Sequence, residues 1–255
     1  RSGKLFVIFP TPETENLVIC FNAIGNTKDF HCLAVNIIPD LHLTGDSQCF
    51  PYYIYDEEGN NRTENITDYA LQQFREFYQD KTITKWQIFY YVYAILHHPE
   101  YRQKYAANLK RELPRIPKIK PFQEISQIGK KLAEIHVNYE NQKEYRLKML
   151  ENSDLPVDLR VEKMKLSKDK TTIIYNEYLT LTGIPPEVWQ YKLGNKSALD
   201  WIIDQYQIKT DKRSGIINDP NRLDDEMYII RLIKKIITVS LETVKLVSDL
   251  NQYSL

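Results

Sequence analysis

Apolar residues near the N-terminal end of the chain occur in short runs separated by turn signals. Residues 4–56 are rich in β-branched and aromatic side chains, a composition that favours strands. The predicted strands are residues 4–9, 17–23, 30–38 and 50–55, with turns at 25–26 and 58–61. We therefore expect an antiparallel strand set in this part of the chain.

After Thr67 the apolar residues recur every three to four positions, which predicts a helix that Thr67 caps. A second helix is predicted over residues 84–97, because Thr84 and Gln87 have the spacing of a capping box. Its side chains are apolar on nearly every side, so it should be the buried central helix.

Two further helices are predicted in the middle of the chain. Pro99 suits the first turn of one, and Pro114 must lie beyond its end. Its buried stripe is predicted to be Tyr101, Tyr105, Leu109 and Leu113. Residues 122–147 have three-to-four spacing and predict a long amphipathic helix.

The last hundred residues contain both strand-like alternation and helical three-to-four spacing of apolar residues. A hairpin is predicted from residues 161–166 and 171–181. A short helix capped by Ser197 and a long helix over about residues 225–250 follow it.

The expected fold class is α+β. It comprises N-terminal antiparallel strands, a helical middle with a buried central helix, a β-hairpin and a long C-terminal helix. We expect residues 1–255 to form one domain that is mainly β over 1–66, helical over 67–150 and mixed over 151–255.

Composition indicates a globular protein. The chain has 255 residues and is 42% hydrophobic, which suffices for a core. No apolar run approaches the roughly 18 residues of a membrane helix, so we expect no membrane partner. Cys20, Cys32 and Cys49 form no paired motif, which favours reduced thiols and a cytoplasmic location. Because the sequence opens on Arg1 rather than Met and soon enters a predicted strand, we expect a fragment of a larger chain.

Motifs of several enzyme classes are absent from the sequence. It has no G-x-x-x-x-G-K-[ST] phosphate loop, no Asn-Pro-Pro-Tyr or Asp-Pro-Pro-Tyr methyltransferase motif, and no Asp or Glu two residues before a Lys. We therefore predict no catalytic residue in this chain.

Metal and hydrolase sites are also weakly supported. His31 stands beside Cys32, but no set of four converging ligands is visible, so no metal site is predicted. His97 and His98 are expected to cap the carbonyls of the central helix. Asp200 and Asp204 share a helix face, which indicates either a solvated surface or, as an alternative, a hydrolase pair.

The placement of charge is the informative positive feature. The 34 basic and 34 acidic residues of the chain cancel, yet residues 1–100 hold 7 basic against 13 acidic residues, and residues 101–120 hold 7 against 1. Lys104, Asn108 and Arg111 should share a helix face, with an extended segment after Pro114. The candidate DNA-contacting residues here are Lys104, Asn108, Lys110, Arg111, Arg115, Lys118 and Lys120. The alternative is a solvated face that docks an acidic protein surface.

Two loops add basic and amide groups. Their candidate DNA-contacting residues are Lys192, Asn195 and Lys196 in the first, and Lys209, Lys212, Arg213 and Asn218 in the second. Gly194 and Gly215 also make both loops plausible as simple tight turns. Loops on a rigid scaffold often supply base contacts, which is the functional interpretation.

Three ordered segments resemble one protein family. The first is FYYVYAILHHPEYR at 89–102, continuing to LPRIP at 113–117. The second runs from DF at 29–30 through PDLH at 39–42 to CFP at 49–51, and the third from WIIDQY at 201–206 through SGI at 214–216 to DPN at 219–221. Together they resemble the C-terminal specificity region of Type ISP restriction-modification enzymes and related adenine methyltransferases of phage-defence systems.

The resemblance implies a parent chain with a nuclease, an ATP-dependent helicase-like motor and an N6-adenine methyltransferase. This chain would be the domain that recognises double-stranded DNA and directs the methyltransferase domain of the same parent to its target. S-adenosylmethionine, ATP and Mg are then expected for the parent, and no cofactor for this chain. The alternative is a protein-interaction or scaffolding module.

Overall fold

The computed structural model describes residues 7–39, 43 and 47–255. The described residues form two compact units. Unit 1 comprises the residues up to Val137 together with 193–195 and 245–255, and unit 2 comprises 138–192 and 196–244. In this part of the chain, no helix has the length and apolar character needed to cross a bilayer. Residues 4–6 of the first predicted strand and residues 40–42 of the second family segment lie outside the described residues.

Unit 1 begins with antiparallel strands, as predicted. Strands β1 (Val18–Asn22), β2 (Cys32–Val35) and β3 (Ser47–Pro51) form a sheet in the order β2-β1-β3, and β4 (Tyr53–Ile54) pairs with β5 (Thr63–Glu64). Ile19 contributes to the main core, whereas Val18 and Cys20 on the opposite face of β1 pack with Phe9. The prediction for 30–38 was too long, and residues 7–9 form no strand.

The first two helices have the predicted caps. Helix α1 (Asp68–Tyr78) begins after Thr67, whose side chain accepts a hydrogen bond from the Ala70 amide. Helix α2 (Lys85–His97) begins with a complete capping box between Thr84 and Gln87. Side chains on several faces of α2 are fully buried, among them Phe89, Tyr91, Tyr93 and Ile95. The prediction of a buried central helix is confirmed.

The third predicted helix is interrupted. Helix α3 (Pro99–Lys104) ends before Tyr105, whose φ of −106° and ψ of 18° are not helical, and α4 (Ala106–Leu109) follows it. Tyr101 and Leu109 are buried, but Leu113 is 55% exposed. The chain has left the helix before Leu113 reaches the core, so its predicted burial was wrong.

Helix α5 (Phe122–Val137) is shorter than the predicted 122–147. A 3-10 turn follows at Tyr139–Asn141, and β6 (Lys148–Glu151) then pairs with another strand. The three-to-four apolar spacing continues to Tyr139, but the helix ends at Val137, and strand pairing determines the conformation of residues 148–151.

Unit 2 contains a four-stranded antiparallel sheet that includes the predicted hairpin around residues 167–170 and divides the predicted strand 171–181 into two strands. Strands β7 (Lys165–Leu166), β8 (Thr172–Ile174) and β9 (Leu179–Thr182) join β6 in the order β6-β9-β8-β7. Ile173 and Leu181 face each other in register and are fully buried.

The remaining elements are short hairpins and two helices. They are β10 (Lys192–Leu193), β11 (Lys196–Ser197), α6 (Ala198–Gln205), β12 (Lys209–Thr210), β13 (Ile217–Asn218) and α7 (Tyr228–Leu250), with a 3-10 turn at Pro186–Gln190 before β10. Ser197 caps α6 as predicted, with Asp200 completing a capping box. Ile229, Ile233 and Ile237 of α7 are buried on the predicted face.

Small residues allow α5 to pack closely on α2. Ser126, Gly129 and Ala133 are buried at three-to-four spacing on α5. The Ser126 hydroxyl donates to the Gln87 carbonyl at 2.8 Å. A Cβ at residue 129 would lie 1.9 Å from the carbonyl oxygen of Tyr90. The contact between the two helices therefore requires glycine at this position.

A buried polar cluster also lies against α2. The Tyr93 hydroxyl accepts from the Ala34 amide at 2.9 Å and lies 2.6 Å from His136 Nδ1. The ring of His97 bonds the Tyr93 carbonyl, as predicted, whereas His98 bonds the Tyr253 carbonyl instead of a carbonyl of α2. Burial lowers the pKa of His136 to about 3 and holds the pKa of His97 well below its usual value.

Gly129→Ala should destabilise the protein by about 3 kcal/mol or more, because the added Cβ collides with backbone. Helix propensity alone predicts the opposite sign, a gain of about 1 kcal/mol. Urea unfolding measures the difference, and Gln127→Ala on the exposed side of α5 is the matched control. A stabilised Gly129→Ala variant would show that the helices do not approach this closely.

Stability should fall as the pH is lowered from 6.5 towards 4. The folded state keeps His97 and His136 neutral, whereas the unfolded chain binds their protons below about pH 6.5. Each histidine contributes a slope of up to roughly 1.4 kcal/mol per pH unit. Urea unfolding at several pH values tests this, and His136→Gln should reduce the slope. An unchanged slope in that variant would contradict the assignment.

Candidate nucleic-acid interface

The basic stretch of residues 101–120 lies in unit 1, and most of its predicted contact residues reach solvent. Lys104, Arg111 and Lys120 are exposed, and within the described part of the chain none of them forms an ion pair. The interruption at Tyr105 corrects the prediction that Lys104, Asn108 and Arg111 share one helix face. The three residues are exposed on successive turns instead.

Acidic neighbours partly neutralise the same stretch. Lys110 Nζ lies 3.7 Å from Asp29, and Arg115 lies 2.9 Å from Glu112. Asn108 also donates to Glu112, at 3.0 Å. These pairs are solvent-exposed and contribute little to stability, so phosphate could displace them at small cost.

Lys118 differs from the other candidates because it contributes to the fold. Its ammonium group donates to the Gln73 carbonyl at 3.1 Å and lies over the rings of Phe74 and Phe77. Arg102 is held in a similar way, since its Nε donates to the Leu96 carbonyl at 2.6 Å. Neither side chain is as available to a ligand as Lys104.

The turn at 193–195 belongs to unit 1 and lies beside residues that the sequence did not single out. A Cβ at Gly194 would lie 3.3 Å from His31 Cε1 and 3.5 Å from Lys28 Cδ. Asn195 is exposed at this turn, so Lys28 joins Asn195 as a candidate. Burial lowers the pKa of His31, which keeps its ring neutral at physiological pH.

Asp204 brings two of the predicted loops together in unit 2. Its carboxylate lies 3.2 Å from Lys196 Nζ and 3.7 Å from Lys209 Nζ. The hydrogen bond from Lys196 helps hold the pKa of Asp204 below its usual value. Asp200 bonds Ser197 in the capping box, so both carboxylates of the hydrolase alternative have structural partners. Lys192 is exposed at the start of the first loop.

The metal alternative gains no support either. Among residues 7–39, 43 and 47–255, no three His, Cys, Asp or Glu side chains are grouped to hold a metal ion.

The β12–β13 hairpin is the most exposed element of unit 2. Every residue from Lys209 to Asp219 is exposed, including Lys212, Arg213 and Asn218. Lys212 and Arg213, at its tip, have no acidic partner within ion-pair distance among the described residues.

Asp211 organises the tip of this hairpin. Its carboxylate accepts the Arg213 amide at 2.9 Å, the Ser214 amide at 2.7 Å and the Ser214 hydroxyl at 2.9 Å. These bonds, led by the Ser214 amide, lower the pKa of Asp211. Gly215 has a φ of +71°, which favours glycine. The Asp-x-x-Ser-Gly order is a turn signal that could have identified this role from sequence.

The base of the hairpin is fixed by the preceding part of unit 2. Asn221 accepts from the Val161 amide and donates to the Val161 carbonyl, each at 2.8 Å. Arg160 pairs with Asp219, and the Ile208 amide donates to the Glu162 carbonyl at 2.9 Å. Both ends of the exposed hairpin are therefore anchored to residues 160–162.

The outer face of the four-stranded sheet is a further surface that the sequence did not indicate. Leu150, Thr180, Ile174 and Lys165 lie in register across it. Leu150 and Ile174 are exposed. The strands involved are only two to four residues long, which leaves their alternation too short to recognise in sequence.

Comparison with protein families identifies the family to which this chain belongs. The profile of the family described as the Type ISP C-terminal specificity domain matches residues 2–232. The chain belongs to this family. No curated protein matches this specificity domain.

Solved structures resemble the specificity domain over nearly its whole length. A nuclease-deletion mutant of the Type ISP restriction-modification enzyme LlaGI, in complex with a DNA substrate mimic, is 37% identical over 99% of this chain with a TM-score of 0.83. The DrdV–DNA complex is 37% identical over 96%, with a TM-score of 0.86. The ATP-dependent Type ISP enzyme LlaBIII bound to DNA is 34% identical over 100%, with a TM-score of 0.88.

The specificity domain spans only part of those proteins. It covers 22% of the LlaGI chain, 26% of the DrdV chain and 17% of the LlaBIII chain.

Asp211→Ala should loosen the hairpin tip without unfolding the domain. Hydrogen exchange at the amides of Arg213 and Ser214 should accelerate, because both lose their acceptor. The unfolding free energy should change by less than about 0.5 kcal/mol, since the hairpin is exposed. Lys212→Ala is the control and should leave this exchange unchanged. Equal exchange in Asp211→Ala and the native protein would refute the ordered tip.

Proposed function

We propose that this domain selects a double-stranded DNA sequence for the adenine methyltransferase and nuclease domains of a longer restriction-modification protein. The observation that carries the proposal is the similarity over nearly the whole chain, at 34–37% identity, to Type ISP enzymes solved with DNA. DrdV, also solved with DNA, is equally similar. The assignment of all 255 residues to one recognition domain is part of the proposal.

Exposed cations provide the attraction for DNA. Lys104, Arg111 and Lys120 would bind phosphates in unit 1, and Lys212 and Arg213 would do so in unit 2. Phosphate contacts fix the register of a protein on the duplex but carry no sequence information. Recognition then requires side chains that reach base edges, and the anchored β12–β13 hairpin is suited to supply them.

The lack of phosphate-loop, methyltransferase and nuclease motifs in the sequence supports a division of labour between this chain and other domains. We assign selection to this chain and bond making to the other domains of the parent, where S-adenosylmethionine, ATP and Mg would act. The methyltransferase domain would flip the target adenine out of the duplex once this domain has bound beside it. The cytoplasmic location also stays a prediction.

A charge-matched comparison tests DNA binding by this surface. Lys104→Ala/Arg111→Ala/Lys120→Ala should weaken binding to duplex DNA, because the three exposed cations are lost. The slope of log K against log salt should become shallower by about 0.9 for each phosphate contact removed. Fluorescence anisotropy at several salt concentrations provides the measurement.

The control variant is Lys81→Ala/Lys130→Ala/Lys131→Ala, which removes three exposed lysines of the same unit outside the basic stretch. Equal losses in the two variants would show that only overall charge matters. Unchanged DNA affinity in the first variant would favour the alternative, in which the basic stretch docks an acidic protein surface.

A further inference from the structure

One face of the β12–β13 hairpin combines an apolar, an amide and a basic side chain. Lys209 and Asn218 are paired across the hairpin, and the ladder extends to Ile216, whose carbonyl accepts from the Asp211 amide at 2.9 Å. Ile216 directly precedes β13, and its hydrogen bond with Asp211 continues the register of the hairpin. From this register we expect the side chains of Ile216 and Asn218 to point to the same face, about 6.6 Å apart. Ile217 lies between them and points to the opposite face, with Thr210 as its partner.

The exposure of this face calls for a ligand. Ile216 is 67% exposed and Ile217 is 64% exposed, on an element with no buried residue from Lys209 to Asp219. Ile216 is an exposed apolar side chain beside the exposed amide and basic groups of Asn218 and Lys209, near the tip of an element that is held at both ends, and this combination favours a contact with a partner on their face. Lys209 also pairs with Asp204, which fixes its ammonium near the base of the hairpin.

The widths of the two DNA grooves indicate which groove the hairpin can enter. The major groove is about 12 Å wide and admits a two-stranded β-ribbon, whereas the minor groove is only about 6 Å wide. The thymine methyl is the apolar group presented in the major groove, and an Asn side chain can bond adenine N6 and N7 there. The pairing of isoleucine with asparagine therefore matches an A·T base pair.

We propose that this face of the hairpin contacts an A·T pair in the major groove, with Ile216 against the thymine methyl and Asn218 on adenine N6 and N7. The inference rests on the proposed DNA-recognition function and makes Ile216 and Asn218 residues that determine specificity. Lys209 then stands beside the same pair, where it can bind a flanking phosphate.

The test first identifies the bound sequence. The 255-residue chain selects its preferred site from a library of duplexes with a randomised central segment. In the selected duplex, each thymine is then replaced singly by deoxyuridine, which lacks only the methyl, and each adenine by 7-deazaadenine, which lacks N7. Affinities are measured for the native chain and for the variants Ile216→Ala, Asn218→Ala and Ile217→Ala.

At one thymine, the effect of removing the methyl on affinity should depend on Ile216 and not on Ile217. Deoxyuridine at this position should lower the affinity of the native chain about fourfold, which is the effect of one buried methyl. It should not lower the affinity of Ile216→Ala further. Replacing the adenine of the same pair by 7-deazaadenine should lower the affinity of the native chain about fivefold or more. This loss of affinity should disappear in Asn218→Ala. Ile217→Ala, the matched control on the opposite face, should retain both sensitivities.

Other outcomes distinguish failure of this inference from failure of the proposed DNA recognition. Sequence-selective binding in which no thymine couples to Ile216, or in which the coupling follows Ile217, would overturn this inference and leave DNA recognition standing. Failure of the native chain to enrich any sequence would overturn both. Thermal unfolding of each variant confirms that these exposed substitutions leave the fold intact.

Discussion

Residue 129 can carry no side chain, because a Cβ there would lie 1.9 Å from the carbonyl oxygen of Tyr90. This close approach of α5 to α2 determines what surrounds it in unit 1. The hydroxyl of Ser126 can reach the Gln87 carbonyl, and His136 on the same helix can reach Tyr93. Tyr93 in turn holds β2 through the Ala34 amide, so strands and helices share one set of buried contacts.

Unit 2 achieves rigidity in a different way. Its hairpin buries none of its side chains, and hydrogen bonds replace packing at both of its ends. Asn221 satisfies both backbone groups of Val161 at the base, and Asp211 satisfies two amides at the tip. An element fixed by such local bonds can enter a groove without first losing conformational freedom, which reduces the entropic cost of binding.

Local signals in the sequence predicted the caps at Thr67, Thr84 and Ser197, because a cap depends on side chains three residues apart. The α+β class and the buried central helix followed from periodicity in the same way. Features that depend on distant residues could not be predicted. Pro114 limits how far the helix can extend but does not indicate that α4 ends at Leu109, and the sheet partner of β6 lies some thirty residues away.

In the candidate site, too, the sequence predicted some features and could not predict those that depend on distant residues. Charge counting located the exposed cations, but it could not show that Lys118 is bound to the Gln73 carbonyl or that Asp204 joins two loops. The chain carries equal numbers of basic and acidic residues, so its attraction to phosphate depends on where the exposed cations lie. Contacts with base edges must then supply the discrimination between sites. A rigid hairpin that presents a few side chains to base edges suits this discrimination better than a strongly basic surface would.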